Sequence, residues 1–400
     1  MDLGVAVGLP VYAACVTLGA DMQRILLGTV AIGILLAACE GHGGDEGHGG
    51  GAAAPAAAPA SVPIAAITGD AVYVVNGEDA SISVLDPNSG ASIGTIELKN
   101  VAFPHHVYLS PDRTRLAVAA PGHDLSGGHS AAAQPGGEHG GEHGGEHGEH
   151  GGEASPAMAG AVLVLDATTG ATIKARRLAA SNHNAAFSPD GRELWTTQLM
   201  DAGTVLVLDA ATLETKQTIA VGKVPAEVTF TPDGKYAFVA NGSSDDITVI
   251  DSASKAVVKT IAVDREPVGA WPGADGLMYV DCEVAKTIKA IDPKTLEVVR
   301  TYDLGFTPGY AAVPPNRTEE LWVTDDAGKL VFHNTSASTK EADLATGAGA
   351  HAIAFTPDGK TGFVTNQLAG SVSIIDASTR TVKSTVPVGK KPNGIVFRSK

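Results

Sequence analysis

The sequence has few cysteines, few aromatic residues and no basic cluster. Only three cysteines occur in 400 residues, and Cys15 and Cys39 precede the repeat region that holds Cys282, so no intramolecular disulfide framework can form. Lys and Arg number 28 against 44 Asp and Glu, and the formal net charge of −16 excludes a nucleic-acid-binding surface. Aromatics make up 5% while Gly and Pro are abundant, which favours many short strands joined by tight turns.

The apolar run near the N-terminus is too short for a transmembrane helix. The run Ile25–Ala37 is shorter than the roughly 20 residues that cross a bilayer, which argues against a plain transmembrane anchor. Arg24 precedes the run and Leu36-Ala37-Ala38-Cys39 ends it, as in a signal peptide. The pattern resembles bacterial lipoprotein signals, in which Cys39 would be lipidated. We predict a signal peptide over residues 1–38, translation from Met22, and a lipid anchor on the periplasmic face of the envelope, with the outer membrane preferred.

After the leader, the chain divides into a tether and a repeat region. Residues 39–63 are rich in Gly, Ala and Pro, which predicts a flexible tether. From residue 64 to residue 400 a unit of about forty residues recurs, each reading as four strands with a Pro-Asp-Gly turn after the first. An Asp closes the third strand at Asp86, Asp166, Asp209, Asp251, Asp292 and Asp376, with His333 at this place in the sixth unit. An insertion at about 121–159, predicted to be disordered, lengthens the second unit.

The second strands carry a motif that relates the units to a known family. YVVNG at Tyr73, FVANG at Phe238 and FVTNQ at Phe363 resemble the YVTN family of β-propeller repeats. The resemblance implies an all-β propeller of four-stranded antiparallel blades, related to the haem d1 domain of nitrite reductases and to quinoprotein-like propellers. Counting the units gives six complete blades and one blade divided between the chain ends, and hence a seven-bladed β-propeller. The first blade lacks an innermost strand, which we expect the C-terminal strand to supply. We assign the Asp series to turn capping, Cys282 to a buried structural position, and the three Trp residues to packing between blades.

Histidine is concentrated in the insertion, where Gly, Glu and His alternate. Neutral imidazole and carboxylate together suit zinc, copper or nickel, so the segment is interpreted as a loop with several weak, exchangeable metal sites. The alternative is a solvated low-complexity insertion without a ligand. The candidate loop ligands are His123, Asp124, His129, His139, His143, His147 and His150.

A second histidine group falls at the start of the innermost strands. Aligning the Ser/Thr-Pro-Asp turns places His105, His183 and His351 at one equivalent position, which a closed ring would bring to one mouth of the central channel. His106, Asn393 and Glu227 are additional candidate ligands. Three converging histidines with room for another ligand are typical of exchangeable metal sites. The alternative is a polar channel lining bonded to water or to backbone carbonyls.

Three functions remain open at the sequence level. The leading hypothesis is a monomeric envelope lipoprotein that binds a divalent transition metal, similar in plan to propeller metallochaperones, and that is not an enzyme. The alternative is a protein-interaction scaffold that uses the top face of the propeller. A second alternative is a cofactor-binding or enzymatic propeller, haem d1-like or lactonase-like. Any haem would be noncovalent, because no Cys-x-x-Cys-His motif is present.

Overall fold

The computed structural model describes Ile64, residues 66–125 and residues 160–400. The predicted signal peptide, Cys39 and the predicted tether over residues 39–63 lie outside the described residues. The described part consists of 28 strands and turns, with no helix, and hence none that is long and apolar enough to cross a membrane. The strands form seven separate four-stranded antiparallel sheets, each one blade of a propeller.

The 28 strands follow one another in blade order. The first blade contains β1 (Ala71–Asn76), β2 (Ser81–Leu85) and β3 (Ser92–Glu97). The second and third contain β4 (Val107–Leu109), β5 (Arg115–Ala120), β6 (Ala161–Asp166), β7 (Thr172–Arg177), β8 (Ala185–Phe187), β9 (Glu193–Gln198), β10 (Thr204–Asp209) and β11 (Thr215–Ala220). The fourth and fifth contain β12 (Pro225–Phe230), β13 (Tyr236–Asn241), β14 (Asp246–Asp251), β15 (Val257–Ala262), β16 (Pro267–Pro272), β17 (Met278–Cys282), β18 (Thr287–Asp292) and β19 (Glu297–Asp303). The sixth and seventh contain β20 (Pro308–Ala312), β21 (Glu320–Asp325), β22 (Lys329–Asn334), β23 (Lys340–Ala345), β24 (Ala350–Phe355), β25 (Thr361–Asn366), β26 (Ser371–Asp376) and β27 (Thr381–Pro387), and β28 (Pro392–Arg398) ends the chain.

The ring closes as the repeat count predicts. Strand β28 is the innermost strand of the first blade and pairs antiparallel with β1, from Ala71 opposite Arg398 to Asn76 opposite Pro392. Beyond the paired strands, the Gly77 N–H donates to the Lys391 carbonyl at 2.9 Å. The predicted seven-bladed, ring-closed architecture is confirmed, and closure removes the exposed sheet edge that an unpaired β1 would present.

The Asp that ends the third strand caps the turn that follows it. The Asp86 carboxylate accepts hydrogen bonds from the backbone N–H groups of Asn88 at 3.0 Å and Ser89 at 2.8 Å. Asp376 repeats the arrangement with Ser378 and Thr379, and these bonds, led by the Ser378 hydroxyl, lower its pKa to about 2. The assignment of this series to turn capping is therefore confirmed.

The Asn at the end of the second strand of a blade stabilises the hairpin to the third strand. The side-chain amide of Asn366 donates to the hydroxyl oxygens of Ser371 at 3.1 Å and Ser373 at 3.0 Å, and the side chain is fully buried. Asn76 makes the same pair of bonds in the first blade. Cys282 stands at this place in the fifth blade, where it is buried, and burial raises the pKa of its thiol to about 12, so it is an unreactive packing residue.

The core lies between the blades. The two middle strands of a blade, such as β13 and β14, are almost entirely buried, whereas the outermost strands, such as β11 and β15, are mostly exposed. Large rings bridge neighbouring blades: Trp195 meets Phe230 at 5.2 Å, and Trp322 meets Phe355 at 4.9 Å between ring centroids. Each blade therefore buries its apolar faces only against its two neighbours, which makes closure of the ring important for stability.

Candidate functional site in the central channel

The innermost strands all run from one face of the ring to the other. We call the face where they begin the histidine face, because His105 and His106 directly precede β4, His183 precedes β8, and His351 is the second residue of β24. The opposite face, where the Pro-Asp-Gly turns lie, is the turn face. His105, His106 and His183 are buried, and His351 is partly buried.

The structure brings the channel histidines together. The ring centroid of His105 lies 4.4 Å from that of His183, 4.6 Å from that of His106 and 6.0 Å from that of His351. The tightest trio is His105, His106 and His183, whose candidate ligand atoms all lie within 4.8 Å of one another. His351 borders this trio on the side of the seventh blade. Its backbone carbonyl accepts a hydrogen bond from the Thr324 hydroxyl at 2.7 Å.

These distances can be compared with those of a metal site. Nitrogens bonded at about 2.05 Å to a tetrahedral zinc lie about 3.4 Å apart. The trio spans up to 4.8 Å, so the rings must approach one another slightly to share an ion. Their burial suits such a site, because each bond to a metal replaces a hydrogen bond to water that a buried imidazole has lost.

A buried carboxyl group adjoins the trio. Glu227 on β12 is fully buried, and its Oε1 atom accepts a hydrogen bond from the Tyr108 hydroxyl at 2.9 Å and lies 3.6 Å from Nε2 of His106. Burial raises the pKa of Glu227 to about 8, and the Tyr108 hydrogen bond offsets only part of that rise. Burial, followed by the charge of Glu227, also raises the pKa of Tyr108 well above its usual value.

A second buried acid lies in the fifth blade. Asp281 on β17 is fully buried and accepts a hydrogen bond from the Gly269 N–H at 2.5 Å. Burial and the nearby charge of Glu283 raise its pKa well above the usual value. The pKa of Tyr310 on β20 is also raised, first by burial and then by Glu227 and Asp281, so both acids act on this tyrosine.

Beyond the histidines, the channel widens into a cavity of about 610 Å³. His106 and Tyr108 line it at one end, and Pro232 and Pro315, at the turns after β12 and β20, line it towards the turn face. The aromatic residues that line it are Tyr108, Phe187, Phe230, Trp271, Tyr310, Phe355 and Phe397. A concave, mostly apolar cavity with a few polar groups at one end is typical of a small-molecule site.

The remaining predicted ligands are placed as follows. Asn393 on β28 is buried beside His105, where a small hollow also reaches Asp124 and Lys391. The Asp124 carboxylate pairs with the Lys391 ammonium group, and His123 is partly buried, which lowers its pKa. Five candidate loop ligands lie outside the described residues: His129, His139, His143, His147 and His150.

Sequence reasoning missed the aromatic cavity. Trp271 was assigned to packing between blades, and it does meet Tyr310 of the next blade at 4.1 Å, but both residues also line the cavity. Tyr108 was not singled out at all. The available signal was the period-two alternation of a strand, because a residue two places after His106 points to the same side of β4.

Comparison with known proteins relates the chain to other propellers. No family model and no curated protein matches it. Among solved structures, it is similar to dihydro-haem d1 dehydrogenase NirN, with a TM-score of 0.57 and 15% identity over 84% of this chain and 77% of that one. The periplasmic gluconolactonase PpgL of Pseudomonas aeruginosa gives 0.63 and 18%, over 82% and 99%. A Bacteroides fragilis protein named provisionally as a 6-phosphogluconolactonase gives 0.62 and 16%, over 82% and 98%.

These similarities require one correction. The expectation that the chain is not an enzyme is wrong, because the similar propellers that carry functional names include a dehydrogenase and lactonases. That expectation rested on the lack of a recognisable Ser/His/Asp set or of paired catalytic carboxylates in the sequence, whereas the aromatic cavity behind the histidines was not visible in the repeat pattern. At these identities the likeness concerns the fold, and propellers of this fold include enzymes.

Proposed function

We propose that this protein is an enzymatic propeller that binds a small organic molecule, as substrate or noncovalent cofactor, in the central cavity. The observation that carries the proposal is the cavity of about 610 Å³, which runs from the turn face to His106 and Tyr108. A ligand there would be enclosed by the innermost strands of several blades, and its inner end would meet polar side chains. The similar propellers named as a dehydrogenase and lactonases support the same proposal.

The inner end of the cavity has groups suited to proton transfer. The Tyr108 hydroxyl, the Glu227 carboxyl and the His106 imidazole form a continuous series, with contacts of 2.9 Å and 3.6 Å on either side of Glu227 Oε1. Tyr108 and His106 both line the cavity, so a ligand can reach either end of the series. We assign these three residues to general acid and base catalysis on the bound molecule.

A cavity-blocking variant tests this function. Ala354 on β24 lines the cavity, and Ala354→Trp should fill part of it, whereas Ala345→Trp on the exposed strand β23 is the matched control. The purified full chain is to be assayed for lactone hydrolysis by proton release and for oxidation of organic donors coupled to an electron-accepting dye. We expect an activity that Ala354→Trp lowers at least tenfold and that Ala345→Trp leaves unchanged. Equal activity of the two variants would show that the cavity takes no part in the activity.

A second candidate function is the binding of a transition metal by His105, His106 and His183. The support is geometric, since three buried imidazoles have ligand atoms within 4.8 Å of one another. Zinc, copper and nickel are the expected ions, because all three accept imidazole ligands. Bound at the inner end of the cavity, such an ion would supply Lewis-acid chemistry to the same ligand.

Calorimetric titration with zinc, copper and nickel at pH 7.5 tests the metal site. A chain that lacks residues 126–159 should be used, so that the loop histidines do not contribute. We expect one tight site that His183→Ala weakens at least tenfold, while His333→Leu, which changes a buried histidine of the sixth blade, leaves it intact. Failure to detect any binding with the wild-type channel would reject this candidate.

We further propose that the protein is exported and lipid-anchored through Cys39. The support is the signal-like segment from Met22 to Cys39, together with the similarity to a propeller named as periplasmic. Mass spectrometry of the protein purified from membranes should find a diacylglyceryl group on Cys39, and Cys39→Ser should release the protein into the soluble periplasmic fraction. An unmodified Cys39 that remains attached to residues 1–38 would contradict both parts.

A further inference from the structure

Among the described residues, the wall of the cavity contains no permanently charged side chain to neutralise an acid. Its polar members there are His106, Tyr108, Thr229, Trp271 and Tyr310, with no described Lys, Arg, Asp or Glu. The Thr229 hydroxyl already donates to the carbonyl of Ala270. A phosphate or carboxylate that leaves water needs a cationic or multiple N–H partner, because an unpaired buried charge is strongly unfavourable.

The buried acids behind the wall also offer an anion no cationic partner. Glu227 lies behind Tyr108 and His106, and Asp281 lies close enough to raise the pKa of Tyr310. No lysine or arginine is paired with Glu227 or with Asp281 in the contacts of the described residues. An anionic ligand would therefore meet acidic groups and no compensating cation.

The aromatic side chains favour a flat ligand. The chain has only 3 Trp, 7 Tyr and 9 Phe residues, yet seven of these line the cavity. Trp271 and Tyr310 lie beside each other with centroids 4.1 Å apart and an interplanar angle of 30°. Aromatic faces of this kind stack favourably on planar aromatic rings.

One end of the cavity can also bind a polar group. The indole Nε1 of Trp271 is buried and faces the Glu227 carboxyl group, whose pKa it lowers, but it makes no hydrogen bond of normal geometry among the described residues. The Oε2 atom of Glu227 likewise has no hydrogen-bond partner of normal geometry there. A buried donor without an acceptor is unfavourable until something bonds to it. A hydroxyl or carbonyl group on the ligand would satisfy the Trp271 N–H and reach the Tyr108 hydroxyl nearby.

We propose that the cavity selects an uncharged, planar aromatic molecule with one hydroxyl or carbonyl group, and that it excludes sugar phosphates and carboxylic acids. This proposal rests on the proposed function, because it specifies the ligand of the same cavity. It separates this chain from the substrate class that the name of a 6-phosphogluconolactonase implies.

A matched pair of probes tests the charge preference. Calorimetry at pH 7 with the full chain compares 2-naphthol with 2-naphthoate, which share the ring system and differ in charge, and includes 6-phosphogluconate. We expect 2-naphthol to bind at least tenfold more tightly than 2-naphthoate and 6-phosphogluconate to give no heat. Trp271→Leu should weaken naphthol binding at least tenfold, and Trp271→Phe, which keeps the ring but loses the N–H, should weaken it less.

A charge-introducing variant provides a readout that a merely structural effect would not give. Ala354→Arg places a cation on the cavity wall, and Ala345→Arg places one on the exposed strand β23 as control. We expect Ala354→Arg to reverse the preference towards 2-naphthoate and Ala345→Arg to leave it unchanged. Melting curves should show that both variants remain folded.

The outcomes distinguish this proposal from the proposed function. Binding of 2-naphthoate or 6-phosphogluconate by the wild type as tightly as 2-naphthol, with Ala354→Trp still blocking activity, overturns the ligand class and leaves the enzymatic cavity in place. No binding of any probe, together with no effect of Ala354→Trp on activity, overturns both. Tight naphthol binding that Trp271→Leu does not affect overturns the assignment of the binding surface.

Discussion

His333 shows how burial affects an imidazole outside the channel. The expectation that His333 takes the place of the turn-capping Asp in the sixth unit is wrong, because Asn334 ends β22 and its side-chain oxygen accepts hydrogen bonds from the N–H groups of Ser336 and Ala337. His333 is buried one residue earlier, and its ring meets that of Tyr302 edge-on at 5.9 Å. Burial lowers its pKa to about 4, against an ordinary value near 6.5. Between these values the unfolded chain binds a proton that the folded chain does not, so folding stability is lost as the pH falls through this window.

The variant His333→Leu should remove this loss. We expect urea unfolding at pH 7 and pH 4.5 to show that the free energy of unfolding of the wild type falls more steeply than that of the variant. The difference should grow by up to about 1.4 kcal/mol for each pH unit below 6.5. Parallel pH profiles of the two proteins would show that His333 titrates normally in the fold.

Asn366 is the residue whose removal should affect one blade most directly. The variant Asn366→Ala deletes the two hydrogen bonds to Ser371 and Ser373 and leaves their buried hydroxyl groups without that donor. We expect a loss of about 1–3 kcal/mol in the free energy of unfolding, measured by chemical denaturation. Asn88→Ala, which changes an exposed amide in the turn after β2, is the control and should have a much smaller effect.

At the scale of the element, strand β28 supports the histidine group through a close contact at Gly394. A Cβ atom at this position would lie 2.7 Å from Cα of His106 and 2.8 Å from the carbonyl oxygen of His105. The Gly394 N–H also donates to that carbonyl at 2.8 Å. The absence of a side chain therefore lets β28 approach the residues that position two of the channel histidines.

The variant Gly394→Val should displace these histidines. We expect a loss of about 1–3 kcal/mol in stability from overpacking, and a loss of ligand or metal affinity that calorimetry would detect. Gly69→Val is the matched control, because a Cβ atom there would meet nothing within 4 Å. Unchanged affinity in folded Gly394→Val would mean that the His105–His106 backbone does not depend on this contact.

The elements also show where sequence reasoning succeeds and where it stops. Blade boundaries, turn capping and the divided first blade follow from local signals such as Pro-Asp-Gly and the recurring Asp, because each blade repeats one short pattern. The meeting of His105, His183 and His351 follows from the same register. The Tyr108–Glu227 contact and the cavity could not be predicted, because they depend on side chains of blades separated by more than one hundred residues and on how far the innermost strands lie from the axis.

At the scale of the whole molecule, ring closure by the C-terminal strand should determine stability. Deleting residues 391–400 removes β28 and leaves β1 as an exposed edge. It also exposes apolar side chains of the cluster that contains Val72 and Val74. We expect a fall in melting temperature much larger than a ten-residue truncation usually causes, measured by circular dichroism or scanning calorimetry. A melting temperature equal to that of the full chain would contradict the closure.

The divided blade also has a mechanical consequence. The chain enters the ring at Ala71 in a strand that is hydrogen-bonded on both sides, to β2 and to β28. Tension applied to the segment before Ala71 would act in shear on the β1–β2 and β1–β28 hydrogen bonds together. Strand β28, at the other end of the chain, therefore helps to hold β1 in the ring. A protein attached to a surface by its N-terminal segment would thus transmit external force to a strand that is paired on both sides.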